Sequence, residues 1–155
     1  MTNYQETLSS NELNGNTVSV NHVEVIENVI SSLEQDDSAM VSHNSENSYL
    51  WKFKYGTVEV FIQLTGTSDE DTITIWSTVL NLPAKDELNL MRHILEMNCS
   101  STLEARFGII DNRVVVISTR TLEDLSPAEV SRLVTIVATI ADENDEVLQS
   151  QYGAA

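Results

Sequence analysis

The sequence predicts an α+β fold in the order α-β-β-β-α-β-β-α, with an antiparallel five-stranded sheet and helices mainly on one face. Three observations carry this prediction. The hydrophobic period is 3.6 in Asn21–Leu33, falls to 2 in Tyr49–Leu80, and returns to 3.6 after Pro83 and after Pro127. The period-two runs are joined by short polar turns, which favour hairpins over crossovers. Alternation along those runs leaves one sheet face apolar and the other mostly polar, so one face needs covering and the other can stay open.

The elements follow in order. Residues 1–20 are polar, acidic and aperiodic and read as a flexible tail. Asn21 and Glu24 have capping-box spacing, and Val23, Ile26, Val29, Ile30 and Leu33 share one helical face. The polar run from Gln35 to Ser48 reads as a loop. In Tyr49–Tyr55 an aromatic side (Tyr49, Trp51, Phe53, Tyr55) alternates with a mostly basic one (Leu50, Lys52, Lys54), which marks a strand. Val58, Val60, Ile62 and Leu64 share one side of the next strand. Ile73, Ile75 and Val79 do so in Thr72–Leu80, beyond the polar turn Gly66–Asp71.

Pro83 is expected to open a helix over about Ala84–Met97, with Asn98 as its C-cap. Leu103, Ala105, Phe107 and Ile109 mark the fourth strand, and Asp111-Asn112 a tight turn. Val114–Ile117 is apolar on both sides. Ser126-Pro127-Ala128-Glu129 combines an N-cap serine, proline at the first helical position and glutamate at the third. The helix it opens carries Val130, Leu133, Val134, Val137, Ile140, Ala141 and Leu148 on one face. Residues 21–150 thus form a single domain, with 151–155 as a short C-terminal tail.

Charge narrows the function. The chain has 155 residues, 24 acids and 8 bases, for a formal net charge of −16. Duplex binding is carried by clustered Lys and Arg, so nucleic acid is an unsuitable partner, as is an anionic membrane surface. A single cysteine, Cys99, cannot form an intrachain disulfide and suits a reducing compartment. No stretch approaches the ~20 apolar residues of a membrane span. Met1–Val20 shows neither a basic n-region nor an apolar h-region, so the cytoplasm is the expected location.

Catalytic grammar is missing. There is no G-x-S-x-G elbow, P-loop or G-x-G-x-x-G, and His22, His43 and His93 lack ligand spacing. Cys99 lies near a helix C-terminus, where the dipole disfavours a thiolate. Asp69-Glu70-Asp71 departs from calcium-loop grammar and reads as a solvated hairpin tip. No enzyme activity, cofactor or metal is therefore expected.

Two features exceed what a core needs. In the second helix, Leu88, Met91 and Leu95 cluster on one side, and Leu90, Ile94 and Met97 roughly 125° away. A sheet-capping helix needs one such stripe. The second suggests a homodimer through Leu90, Ile94, Met97 and Met91. On the sheet, alternation puts Phe61 and Trp76 opposite the aliphatic side, as diagonal neighbours if the hairpin is symmetric about Gly66. With Leu50 they are candidate partner-binding residues.

The element order resembles that of bacterial YbjN-domain proteins, which look like type III secretion chaperones of the CesT kind, over roughly residues 20–150 and most strongly in the second half. Ile94-Leu95-Glu96-Met97-Asn98, Ala105-Arg106-Phe107-Gly108-Ile109, Val114-Val115-Val116 and Leu125-Ser126-Pro127-Ala128-Glu129-Val130 carry the resemblance. It implies a small acidic protein, often dimeric, that binds other proteins without turnover and has no catalytic residues. The reading is therefore a chaperone-like adaptor that binds a segment or tail of a partner protein and assists its assembly or regulation. The alternative is a small-molecule-sensing or stress-regulatory domain.

Overall fold

The computed structural model describes residues 20–34, 37–45 and 47–154. Its elements are α1 (His22–Leu33), β1 (Met40–Ser45), β2 (Ser48–Tyr55), β3 (Val58–Leu64), β4 (Thr72–Asn81), α2 (Glu87–Ser100), β5 (Arg106–Ile110), β6 (Arg113–Thr121) and α3 (Pro127–Tyr152). The strands form one sheet in the order β1-β2-β3-β4-β6-β5, every neighbouring pair antiparallel. The α+β class stands, but with six strands rather than five. The expected tail over residues 1–20 lies, except for Val20, outside the described residues. α3 runs on to Tyr152, two residues into the expected C-terminal tail.

The additional strand falls in the run expected to be a loop. β1 pairs Met40 with Lys52 and His43 with Tyr49. It is an edge strand held by main-chain bonds to β2, with Met40 and Val41 exposed. Such a strand needs no apolar side, so hydrophobic period does not reveal it. Two side chains steer the chain into it. Glu34 accepts from Ala39 N–H at 3.0 Å, and Ser38 Oγ accepts from Lys54 N–H at 3.0 Å.

The core lies on one face of the sheet. Val58, Val60, Ile62 and Leu64 of β3 are buried there, beside Ile73, Ile75, Ser77 and Val79 of β4. α3 crosses this face and buries Val130, Val134, Val137, Ala138, Ala141 and Leu148. α1 adds Ile26, Val29 and Ile30 and packs on α3. Each such aliphatic side chain contributes about 1.5–3 kcal/mol on leaving water. Ser77, buried among them, is satisfied by donating to the Glu59 carbonyl at 2.7 Å.

α3 also grips the β2–β3 turn. Gly56 sits at φ +55°, and a Cβ there would lie 2.1 Å from the Asp142 carboxylate. Thr57 N–H donates to Asp142 Oδ1 at 2.9 Å, and Thr57 Oγ1 stands 2.8 Å from Asp145 Oδ2. Asp145 is only 4% exposed. The threonine hydroxyl is its hydrogen-bond donor among the described side chains, since a buried carboxylate needs one.

Three sequence expectations change around α2. The helix begins at Glu87, not beside Pro83, because Asp86 takes a left-handed conformation at φ 48° and Glu87 Oε1 reaches back to Ala84 N–H at 3.0 Å. Asn98 is not the cap. It lies inside the helix, and its amide brackets Phe107, accepting from N–H at 2.6 Å and donating to the carbonyl at 3.1 Å. The side chain thus occupies the outer edge of β5. Leu103 is not in a strand. Its φ of 51° and the Ala105 N–H to Thr102 carbonyl bond close a turn before Arg106.

The double stripe of α2 is real, but its proposed dimer residues face inward. Leu90 is fully buried, Ile94 is 5% exposed, and Met91 and Met97 pack against the core. Leu88 and Leu95, at 83% and 67% exposed, form the outer stripe. Helical period shows two stripes without saying which one packing selects. The structure therefore removes Leu90 and Ile94 from any surface.

Three outcomes test this packing. Ser126 Oγ accepts from Glu129 N–H at 3.1 Å, so Ser126→Ala should cost about 1 kcal/mol in urea unfolding. Thr57→Val leaves Asp145 without its donor and should cost about 1–3 kcal/mol, recovered by Thr57→Ser. Ile94→Asp buries an unpaired charge and should cost more than about 3 kcal/mol. An intact melt with altered sedimentation would instead make that stripe an interface.

Candidate functional site

The side of the sheet away from α3 carries the opposite half of each alternation. One ladder row crosses all six strands there: Met40, Lys52, Phe61, Trp76, Ile117 and Arg106. Phe61 and Trp76 sit directly opposite each other at the row's centre. Their rings stack with centroids 5.3 Å apart and planes 12° from parallel. Both are half-buried, unlike the sealed Ile62 and Ile75 on the other face. An offset pair of this kind contributes about 0.5–1.5 kcal/mol beyond its buried area.

The register differs from the sequence expectation. Phe61 pairs with Trp76, not near Thr74, so the aromatics face each other instead of lying on a diagonal. The cause is the connecting turn. Thr65 and Thr72 still pair, through Thr65 N–H to the Thr72 carbonyl at 3.1 Å. The Asp71 carboxylate then folds Gly66–Asp71 inward by accepting from Ser68 Oγ at 2.7 Å and Ser68 N–H at 3.0 Å. Those Ser68 bonds, with one from Thr65, hold the Asp71 carboxyl below the usual carboxylate range. Gly66 is required here, because a Cβ would lie 2.2 Å from Asp71 Oδ2. Of the acidic triplet, Asp71 is turn scaffolding, while Asp69 and Glu70 are exposed.

A groove of about 380 Å³ runs along the aromatic pair, lined by Phe61, Gln63, Thr74, Trp76, Thr78 and Arg113, with Ile110 and Asp111 at its side. Leu50, the third partner-binding candidate, is on the same face, opposite Gln63 and half-buried. The three residues singled out from sequence are therefore brought to one surface. Sequence reading missed Arg106 and Arg113 as members of it. Their strand parity was readable, but the β4-β6-β5 order that puts Arg113 in the groove and Arg106 across Ile117 from Trp76 was not.

Elsewhere the chemistry is sparse. A second, polar cleft of about 360 Å³ lies where β3 and β4 part, lined by Thr57, Glu59, Asn81, Arg113, Asp145 and Gln149. Its hydroxyl–carboxylate contact, Thr57 with Asp145, is the clasp that holds the β2–β3 turn to α3. Cys99 is exposed in the last turn of α2. His22, at the start of α1, is held below its ordinary range by burial, with the Asp69 charge acting the other way. Among the described residues, no three His, Cys, Asp or Glu side chains gather where a metal could bind. No helix among them is long and apolar enough to cross a membrane.

Comparison with known families is informative at one point. The YbjN family model, whose description reads "Putative bacterial sensory transduction regulator", matches residues 22–150. No curated protein matches the chain.

Proposed function

The chain belongs to the YbjN family, and from that premise we propose that it regulates by holding a segment of another protein on the open face of its sheet. The family's description is regulatory, not enzymatic. The finer reading is a chaperone-like adaptor without turnover. One observation carries it: Phe61 and Trp76 stack half-exposed at the centre of a sheet face, beside a groove, while every aliphatic partner on their strands is sealed on the other face.

The energetics favour recognition over storage. Covering the exposed part of this pair would stabilise a complex at about 25 cal/mol per Å² of apolar area. Ordering of the bound segment offsets part of that gain. Polar neighbours such as Gln63, Thr74 and Thr78 would orient the segment by hydrogen bonds.

The double change Phe61→Ala and Trp76→Ala tests this reading. The melting temperature should fall by only the few degrees that a half-buried stacked pair contributes, while capture of the native partner by the purified chain should be lost. A core role would instead cost about 3–5 kcal/mol for each aromatic and lower the melt steeply. That result, or capture unaffected by the change, would contradict the proposal.

A further inference from the structure

The distribution of cations on the open face carries one further inference, which rests on that face being the binding face. The chain has 8 basic residues against 24 acids. Four of the eight stand on the open face. Lys52 lies opposite Phe61, Lys54 opposite Glu59, Arg106 opposite Ile117, and Arg113 beside Asn81 and Ile110. Among the described residues, Glu59 is the one acid on the strands of this face, and it is taken up by Lys52 at 3.2 Å. Asp111 adds one more at the rim.

Most cations elsewhere are treated differently. Arg92 pairs with Glu96, Arg120 with Glu129, and Arg132 with Glu104. Lys85, in the turn before α2, is the exception. On the open face, Lys54, Arg106 and Arg113 have no carboxylate within 4.0 Å among the described residues. With three acids for every base, that is not for want of acids. The strands alternate Thr, Gln, Ser, Phe and Trp on this face where carboxylates could have stood.

We propose that the segment held on this face is an acidic stretch of a protein, with carboxylates spaced around an apolar or aromatic anchor. The anchor covers the Phe61–Trp76 pair, and the carboxylates reach Lys52 and Lys54 on one side and Arg113 and Arg106 on the other. From β2 to β5 is four strand spacings, about 19 Å at ~4.8 Å each. About six extended residues span that distance at ~3.3 Å per residue. The chain's net charge of −16 does not forbid the encounter. At physiological salt, charges farther apart than about 8 Å are largely screened, so the contact surface decides. A nucleic acid strand would also find cations and aromatic rings here. It carries a phosphate at every step, and this face offers four cations, one of them already paired with Glu59, which favours a peptide whose carboxylates are spaced apart.

Fluorescence anisotropy with four labelled probes tests this. They are a 12-residue peptide of alternating Glu and Leu with one central Phe, the same peptide with Gln for Glu, the same with Lys for Glu, and a 12-nucleotide single strand. The Glu peptide should bind tightest. Lys54→Glu with Arg113→Glu, both exposed positions, should weaken it about tenfold without moving the melt. The inference is overturned if the Glu peptide fails to bind at roughly 1 mM. It is also overturned if the Lys peptide or the oligonucleotide binds as tightly, or if the charge reversal leaves the affinity unchanged. Binding of the Gln or Lys peptide that is lost in the Phe61→Ala, Trp76→Ala chain would keep the site and discard its preference for acid. Peptide binding indifferent to both aromatics would discard the site as well.

Discussion

Two-residue alternation in β3 and β4 decides what each face of the sheet carries. Once Val60, Ile62, Ile73 and Ile75 face α3, the positions between them have nowhere to go but the other side. A slip of one residue would exchange the two faces, exposing an aliphatic surface and burying Gln63 and Thr74. The Gly66–Asp71 turn fixes the register within that alternation. Its hydrogen bonds bring Phe61 and Trp76 opposite each other. A local polar turn thereby sets the geometry of an aromatic pair several residues away.

Polar groups hold the scaffold at the points where strands end. Asp142 and Asp145 of α3 clasp Thr57, Asn98 of α2 brackets the edge of β5, and Ser126 caps α3. Each joins a helix to a strand, or starts a helix, without occupying the open face. That face therefore keeps its side chains for contact with something else. Cations follow the same division. Those on helices or facing them are neutralised by nearby acids, whereas most of those on the open face are not.

Period and capping made much of this legible in the sequence. The helix starts at Asn21 and Ser126, the aliphatic faces of β3 and β4, and the outward placement of Phe61 and Trp76 were all readable, because each is set by local chemistry. What escaped reading depends on contacts between distant segments. β1 is built from main-chain pairing with β2 and leaves no hydrophobic period. The two stripes of α2 are equivalent until packing buries Leu90 and Ile94 in preference to Leu88 and Leu95. Arg106 and Arg113 join Lys52 and Lys54 only through a strand order that sequence adjacency does not dictate. Asn98 looked like a cap because the partner of its amide, Phe107, is nine residues away on a strand edge.

If the face away from α3 is the one that meets a partner, side chains there should touch that partner in the cell. A photoreactive benzoylphenylalanine placed one position at a time, followed by irradiation in the native cell, tests it most directly. Gln63 and Thr119 report the open face, and Glu143 and Ser150 report the exposed side of α3. Gln63 and Thr119 should give one shared protein adduct, and Glu143 and Ser150 none. Adducts arising from α3 alone, with the open-face positions silent, would contradict it.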